Sequence, residues 1–408
     1  MRRPLWMGIF AACLIPFVLT LGNSMMVPVI PVMQSAFGIS PTQASLLITA
    51  YSVIAVVLMP VAGFISDRAS RKHIAMAALG VAAIGGCVAA IGAAIAHSYS
   101  WVLVGRIVQG VGAAFAMPLA LPLAGDLAAE GDRGRAAGLT EVGNTVGKLV
   151  SPMLGALLAT WAFFAPFWAV FALCGALSIA IAWMVRGPLR PVARAPKKGL
   201  WRSAFRQHAA LLTATYVSGA AGMLCLFGGL VSLSESLADR AHVPEWQNGL
   251  LLSVPQAMLC AASLVTGLWL ARTRARSRVI IPLGFAITAL AFGAAGLARG
   301  MGWQVAATSV GTYGIGTAIT AVDANLATAV PREVRGSLSS LYTSARFLGP
   351  TFGPPLASWL LGFGASAPSF VLAAIALAAG ILCAALLHRR SAQEGDTTAK
   401  AGREAVQT

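Results

Sequence analysis

Gly63-Phe64-Ile65-Ser66-Asp67-Arg68-Ala69-Ser70-Arg71-Lys72 decides the fold. The stretch reads G-x-x-x-D-R-x-x-R-K: its first half closes an apolar run, and its second half is a cluster of charge. Apolar runs of roughly 20 residues flank it on both sides, the length that crosses a bilayer as a helix. A glycine at the end of the first run lets two membrane helices approach closely at their edge. The aspartate and the cations can then bridge neighbouring helix ends by charge-assisted hydrogen bonds. Without that bridging, the same cluster is a positive stop that holds a short loop on one side of the membrane.

Composition extends this reading to the whole chain. Its 408 residues are 58% hydrophobic and only 10% charged, with a mean hydropathy of +0.78. A soluble domain carries about 25% charged residues. In lipid every backbone amide needs a partner, which leaves helices or a closed barrel. The long apolar runs lack period-two alternation, so helices are expected. Twelve spans follow: 5–31, 42–65, 73–96, 100–124, 135–160, 163–186, 208–232, 247–270, 278–298, 303–328, 335–361 and 366–388. Arg2 and Arg3 precede the first span and no small-residue cleavage site follows it, so it reads as a retained helix.

The net charge of +16 is not a nucleic-acid signal, because of where it lies. The side holding both termini and the even-to-odd loops carries 24 of the 29 Lys and Arg residues; the other side carries only Arg240 and Arg299. Arg106, Lys148 and Arg346 fall within spans. This is the positive-inside asymmetry, and it places both termini in the cytoplasm. The six cysteines sit singly in separate spans and the five histidines form no H-x-x-x-H pair. Neither a disulfide framework, a metal centre nor a cofactor is therefore expected.

Residues 187–207, with three prolines and six of their own basic residues, read as a cytoplasmic linker between bundles 1–186 and 208–388; residues 389–408 form a tail. The two bundles repeat. At an offset of 204, Gly63 falls on Gly267, Arg68 on Arg272 and Asp67 on Ala271. At an offset of 198, Lys148 falls on Arg346, Pro152 on Pro350, Gly155 on Gly353 and Trp161 on Trp359. Duplication explains matches at both places, and such repeats build transporters with a central site reached from alternate sides. The fold class is all-α membrane protein, with 12 transmembrane helices in two pseudo-symmetric six-helix bundles.

Four elements carry a family resemblance. The opening G-x-x-x-D-R-x-x-R-K resembles the loop signature of the major facilitator superfamily of secondary transporters. Arg106-Ile107-Val108-Gln109-Gly110-Val111-Gly112 is similar to the family's R-x-x-Q-G-x-G element, which is associated with proton coupling. Gly138, Gly147, Ser151-Pro152 and Gly155-Ala156 follow the spacing of its antiporter signature G-x8-G-x3-G-P-x-x-G-G, with Ser151 and Ala156 in place of two glycines. Leu21-Gly22-Asn23 followed by Pro28-Val29-Ile30-Pro31 resembles a further element, in which many relatives carry Asp where this chain has Asn23. The resemblance is to the 12-helix drug:proton antiporter branch, and it implies export. It also implies a cytoplasmic gate of Gly63, Asp67, Arg68, Arg71 and Asp126. Arg106 either joins an internal polar network with Gln109 or snorkels to the interface near Trp101.

Glu141, Lys148, Asp323 and Arg346 lie well inside spans, where each costs roughly 2.5–3.5 kcal/mol on insertion scales. Such residues face a polar interior by default. Glu141 and Lys148 are seven residues apart, nearly on one helix face, with Asn144 and Thr145 between them. Tyr342 takes the place of Asn144 in the repeat. A pseudo-twofold sets Lys148 and Arg346 on opposite walls, a positive clamp for an anionic or zwitterionic substrate. The alternative is structural pairing, Lys148 with Glu141 and Arg346 with Asp323. Glu141, Asp323 and Arg106 are the proton-coupling candidates; Lys148, Arg346, Asn144, Thr145, Tyr342, Gln109 and Asn23 are the substrate-binding candidates.

The leading expectation is a proton-coupled exporter of a drug or of a zwitterionic or anionic metabolite such as a metallophore, in the cytoplasmic membrane. Proton-coupled uptake of an organic anion or sugar is the alternative. The expected partners are a small-molecule substrate, protons and the bilayer, with no nucleic acid and action as a monomer. No nucleotide-binding motif or catalytic constellation points to an enzyme.

Overall fold

The computed structural model describes residues 3–66, 69–128, 132–185, 209–239, 243–273, 277–297, 300–329 and 332–407. Fourteen α-helices are described: α1 (Arg3–Ser24), α2 (Ile30–Phe37), α3 (Pro41–Ser66), α4 (Arg71–Ala94), α5 (Tyr99–Ala116), α6 (Ala120–Leu127), α7 (Arg133–Trp161), α8 (Ala165–Met184), α9 (Ala209–Asp239), α10 (Glu245–Thr273), α11 (Ser277–Gly296), α12 (Met301–Ala329), α13 (Arg332–Leu361) and α14 (Ala367–Gln407). Two expected spans are each made of two helices. Pro28 lies in the break between α1 and α2, Pro31 sits in the first turn of α2, and a 3-10 turn at Met117–Leu119 joins α5 to α6. Residues 187–207 lie outside the described residues.

Eleven helical segments among the described residues are long and apolar enough to cross a membrane. The twelfth expected span, 335–361, corresponds to α13, whose 30 residues suffice in length but which is the more polar helix. Ser, Arg, Thr and three internal prolines on α13 lower its hydropathy. It is nevertheless packed on both sides, against α9 and against α3.

Helix packing divides into two groups. In the first, α1 packs on α7 and α8, α4 on α5 and α8, and α3 on α5. In the second, α9 packs on α13 and α14, α12 on α10 and α11, and α11 on α14. The groups meet chiefly where α3 packs on α13 and α7 on α10.

Small residues set the closest contacts, and the same contacts recur in both halves. A Cβ on Gly105 of α5 would meet the Gly85 carbonyl of α4 at 2.6 Å; one on Gly284 of α11 would meet the Gly314 carbonyl of α12 at 2.6 Å. Gly155 of α7 abuts the Met25 carbonyl just beyond α1, and its counterpart Gly353 of α13 abuts the Leu224 carbonyl of α9. With no hydrophobic driving force between helices in lipid, this close backbone approach supplies the van der Waals contact that holds each half together.

Candidate functional site

One end of the molecule carries Arg71, Lys72 and Asp126, and is called here the basic end. The opposite, far end carries Pro41, Trp161 and Glu235.

Between them Arg106 is wholly buried, 0% exposed, so it does not snorkel. Its Nε donates to the Leu47 carbonyl at 2.7 Å, and its Nη2 to Asn23 Oδ1 at 2.8 Å. Nη1 donates to the Gly22 carbonyl at 3.3 Å and to Gln109 Oε1. The Tyr51 ring lies 4.7 Å below the guanidinium. The Gly22 carbonyl is free for this because the chain leaves the helix there: Met26 bonds to the Asn23 carbonyl, in a three-residue turn ahead of Pro28. Gly110 and Gly112 of the same motif have packing work, the first against the Tyr51 backbone of α3 and the second against Ala78 and Ala82 of α4. Arg106, Gln109 and Asn23 thus form one cluster. Asn23 and Gln109 bind the arginine, and Gln109 Nε2 is buried with no partner among the described residues.

Helix α7 lays its small residues on α1. Gly143 and Gly147 press against the Cys13 and Phe17 carbonyls, and Gly155 against Met25. The packing expected at Gly138 is absent, because a Cβ there meets nothing within 4 Å. Gly143, on the face of Gly147 one turn earlier, carries that contact instead. Pro152 and Ala156 turn the other way, toward Gly249 of α10 in the second half. Asn144 is committed to this packing: it accepts from Thr20 of α1 at 2.8 Å and donates to Glu141 at 3.2 Å.

Lys148 and Glu141 on α7 and Asp323 and Arg346 on α12 and α13 lie within electrostatic range of one another, across the two halves. Arg346 Nη1 sits 3.7 Å from Asp323 Oδ2, a loose pair. The second anticipated pair does not form: among the described residues Lys148 has no ion pair with Glu141. Tyr342 lies 5.6 Å from the Arg346 guanidinium, is 4% exposed, and its hydroxyl is buried beside the Asp323 carboxylate. Gly219 of α9 makes room for it, since a Cβ there would stand 2.6 Å from the Tyr342 ring and 3.0 Å from Arg346 Cγ. Sequence reasoning missed Gly219, because nothing local marks it. Thr145, beside Lys148, accepts at its carbonyl from Cys260 of α10 at 3.5 Å.

At the basic end Arg71 bonds Asp126 at 2.7 Å, joining the start of α4 to the end of α6. Lys72 donates to the Ala182 carbonyl at 2.9 Å in the last turn of α8, where a cation meets the negative end of the helix dipole. This described part of the expected gate ties helices of one half together. Asp67 and Arg68 lie outside the described residues. Gly63 is partly buried three residues before the end of α3, and at its repeat position Gly267 a Cβ would make only ordinary contact, with Thr320 at 3.8 Å.

Described hydrogen bonds between the halves gather toward the far end. Thr49 donates to the Thr351 carbonyl at 2.9 Å, Ser234 to the Val27 carbonyl at 3.5 Å, and Gln34 to Glu235 at 2.6 Å. Glu235 was placed in a loop by its sequence; α9 runs on through Asp239, and the carboxylate is buried at 2% exposure.

The Major Facilitator Superfamily family model matches residues 12–349 and 278–407. The chain is 35% identical over 361 residues to the bacillibactin exporter of Bacillus subtilis (strain 168), covering 87% of this chain and 90% of that protein. It is 24% identical over 163 residues to the quinolone resistance protein NorA of Staphylococcus aureus, 40% of each chain. Among solved structures it resembles a bacterial homolog of the human lysosomal transporter Spinster, crystallised inward-facing and unoccupied, with a TM-score of 0.76 at 17% identity over 95% of this chain and 97% of that one. A multi-pass helical chain with this match across most of its length belongs to the Major Facilitator Superfamily.

Proposed function

We propose that this protein exports a zwitterionic metal-chelating metabolite across the cytoplasmic membrane, in exchange for protons, as a monomer that alternates between two openings. Positive-inside asymmetry sets the basic end and both termini in the cytoplasm. Among the described residues, hydrogen bonds between the halves gather toward the far end, which supports a state closed on that side.

One observation carries the substrate class. Lys148 faces Arg346 across the two halves without an ion pair of its own among the described residues. Two cations facing each other across the halves suit a substrate that brings negative charge. Similarity to a bacillibactin exporter over 87% of the chain supports export and narrows the class to metallophores. Glu141 and Asp323 are the proton carriers of this reading. Arg106, held by carbonyls and neutral side chains, steadies α1, α3 and α5 around the site.

Untargeted comparison of secreted and retained metabolites in a deletion strain, under metal limitation, tests this. A chelator retained in the cells and depleted from the medium is expected. An unchanged medium with new sensitivity to many unrelated drugs would instead establish broad drug efflux.

A further inference from the structure

Gln256 of α10 is 1% exposed, and its side-chain oxygen Oε1 has no hydrogen-bond partner among the described residues. Its neighbours on α10 fix the face on which it lies. Gly249, seven residues earlier, abuts the Pro152 carbonyl and the Ala156 methyl of α7. Cys260, four residues later, donates to the Thr145 carbonyl of α7 at 3.5 Å. Positions seven before and four after share one side of a helix. Gln256 therefore faces α7 between Thr145 and Pro152, at the turn that carries Lys148. The repeat shows the same feature. At the offset of 204, Gln256 falls on Ser52 of α3, which is 0% exposed and whose hydroxyl also has no partner among the described residues. Helix α3 packs on α13, the helix of Arg346. Each helix with a central cation thus meets, from the opposite half, a helix with an unsatisfied polar atom at one repeat position. Leaving such an atom dry weighs against the state that buries it by roughly 5- to 150-fold, which an apolar side chain of similar length avoids.

We propose that Gln256 is a substrate-binding residue, the second half's wall of the Lys148 site, uncovered as the far side opens. Gly249 and its contacts on α7 lie between Gln256 and the far end, so the parting that opens this face also lifts Gln256 away from α7. Its amide then meets whatever Lys148 holds. Lys148 takes an anionic oxygen, and Gln256 Oε1 accepts from a hydroxyl or amide N–H carried beside it. An α-hydroxy acid or an N-acyl amino acid bears that pair of groups; a plain alkyl carboxylate does not. A substrate with both gains a hydrogen bond in the far-open state that the closed state denies it, so loading itself favours opening toward the far side. This rests on the anion site proposed above and adds to the substrate class the donor beside the anion.

The first test needs no substrate. It uses the full-length protein in lipid nanodiscs, with Cys87→Ala and Cys260→Ala removing the two native cysteines that are not buried. Gln256→Cys in this background is treated with two membrane-impermeant methanethiosulfonates, the anionic ethylsulfonate and the cationic ethyltrimethylammonium. Each rate is divided by that of exposed Ala36→Cys on α2. The corrected rates should favour the anion several-fold, and Lys148→Ala should reduce that preference. No reaction, no preference for the anion, or a preference untouched by Lys148→Ala would overturn the site. Thr42→Cys, in the same background, reports far-side opening by its rate with an impermeant maleimide. Adding Gln256→Met keeps the side-chain length, removes the unsatisfied oxygen and should slow that rate several-fold. An equal or faster rate would mean that the amide already has a partner in the closed state, and would refute the proposal. In a deletion strain, Gln256→Met should cut chelator export about two- to tenfold at equal protein level, the worth of one neutral hydrogen bond; export equal to the parent would remove the substrate contact. An anion preference that holds in a protein whose deletion leaves every chelator exported would refute the chelator reading alone.

Discussion

Gly249→Ala should open the far side of this transporter without touching a polar group. Gly249 sits near the start of α10, where a Cβ would land on the Ala156 methyl and 2.6 Å from the Pro152 carbonyl, both on α7 of the opposite half. Flexible side-chain ends can swing aside, but a backbone carbonyl and a methyl cannot. Overpacking of this kind costs about 1–3 kcal/mol. The overlap exists only while the halves touch here, so the cost falls on the closed state alone. The equilibrium then shifts toward the open state by about 5- to 150-fold. Maleimide reaction at Thr42→Cys reads this directly. Gly293→Ala, where a Cβ meets nothing within 4 Å, is the control and should leave the rate unchanged. Pairing Gly249→Ala with Ala156→Gly removes the nearer of the two obstacles and should restore part of the closed population. A rate identical to the parent in Gly249→Ala would show that α7 and α10 do not form the moving contact, and the rocking of the halves would need another interface.

Three further substitutions test the site and its frame. Lys148→Ala should weaken transport of an anionic chelator about tenfold to a hundredfold, the worth of one charge-assisted hydrogen bond, while Lys148→Arg retains most of it; unchanged KM in proteoliposomes removes the clamp. Arg106→Ala deprives Leu47, Gly22, Asn23 and Gln109 of their donor and should cost about 3–5 kcal/mol, seen as a large fall in thermal stability in detergent; a small fall would mean that water replaces the guanidinium. Gly112→Leu drives a side chain into the Ala82 backbone at 2.6 Å and should abolish assembly of α4 on α5, leaving little monodisperse protein on size exclusion.

Membrane architecture was legible because lipid enforces it: helix lengths, the positive side and the small residues that permit close approach are all local properties. The pairing of Asp126 was legible for the same reason, since charged helix ends at one membrane face have few partners, and Arg71 takes it. Position across the two halves was less so. Glu235 lies in Ser232-Leu233-Ser234-Glu235-Ser236, a stretch whose low hydropathy reads as the end of a span. Its burial comes from α2 and α10, which only the fold brings to it. Lys148 and Glu141 show the opposite error. Seven residues on one helix face suggest a pair, yet Glu141 takes Asn144 instead. Helical spacing gives proximity along one face but not which way two long side chains turn. Gly138 and Gly143 make the same point for packing: a motif names small positions, and the neighbour decides which of them is used.

Depth along the helices constrains what the central charges can exchange. At 1.5 Å per residue, Glu141 and Asp323 lie about 12 and 9 Å from the basic ends of α7 and α12, while Lys148 and Arg346 lie about 22 and 21 Å in. Asp323 and Arg346 nonetheless meet at 3.7 Å, their side chains bridging that difference in depth. Protonating Asp323 would release Arg346 from its 3.7 Å pair and ready it for an anion, so a purely anionic substrate and a proton would bind together and travel the same way. Exchange requires competition, and only a positive group on the substrate competes with protons for Glu141 and Asp323. A zwitterion satisfies both conditions, its cation on the acids and its anion on Lys148. Proteoliposomes carrying a trapped pH dye separate the cases by the sign of proton flux. A zwitterionic chelator should drive protons in the opposite direction, and Glu141→Gln with Asp323→Asn should abolish that flux while substrate still equilibrates. Protons that follow the chelator, or a flux that survives both substitutions, would refute exchange at these two carboxylates.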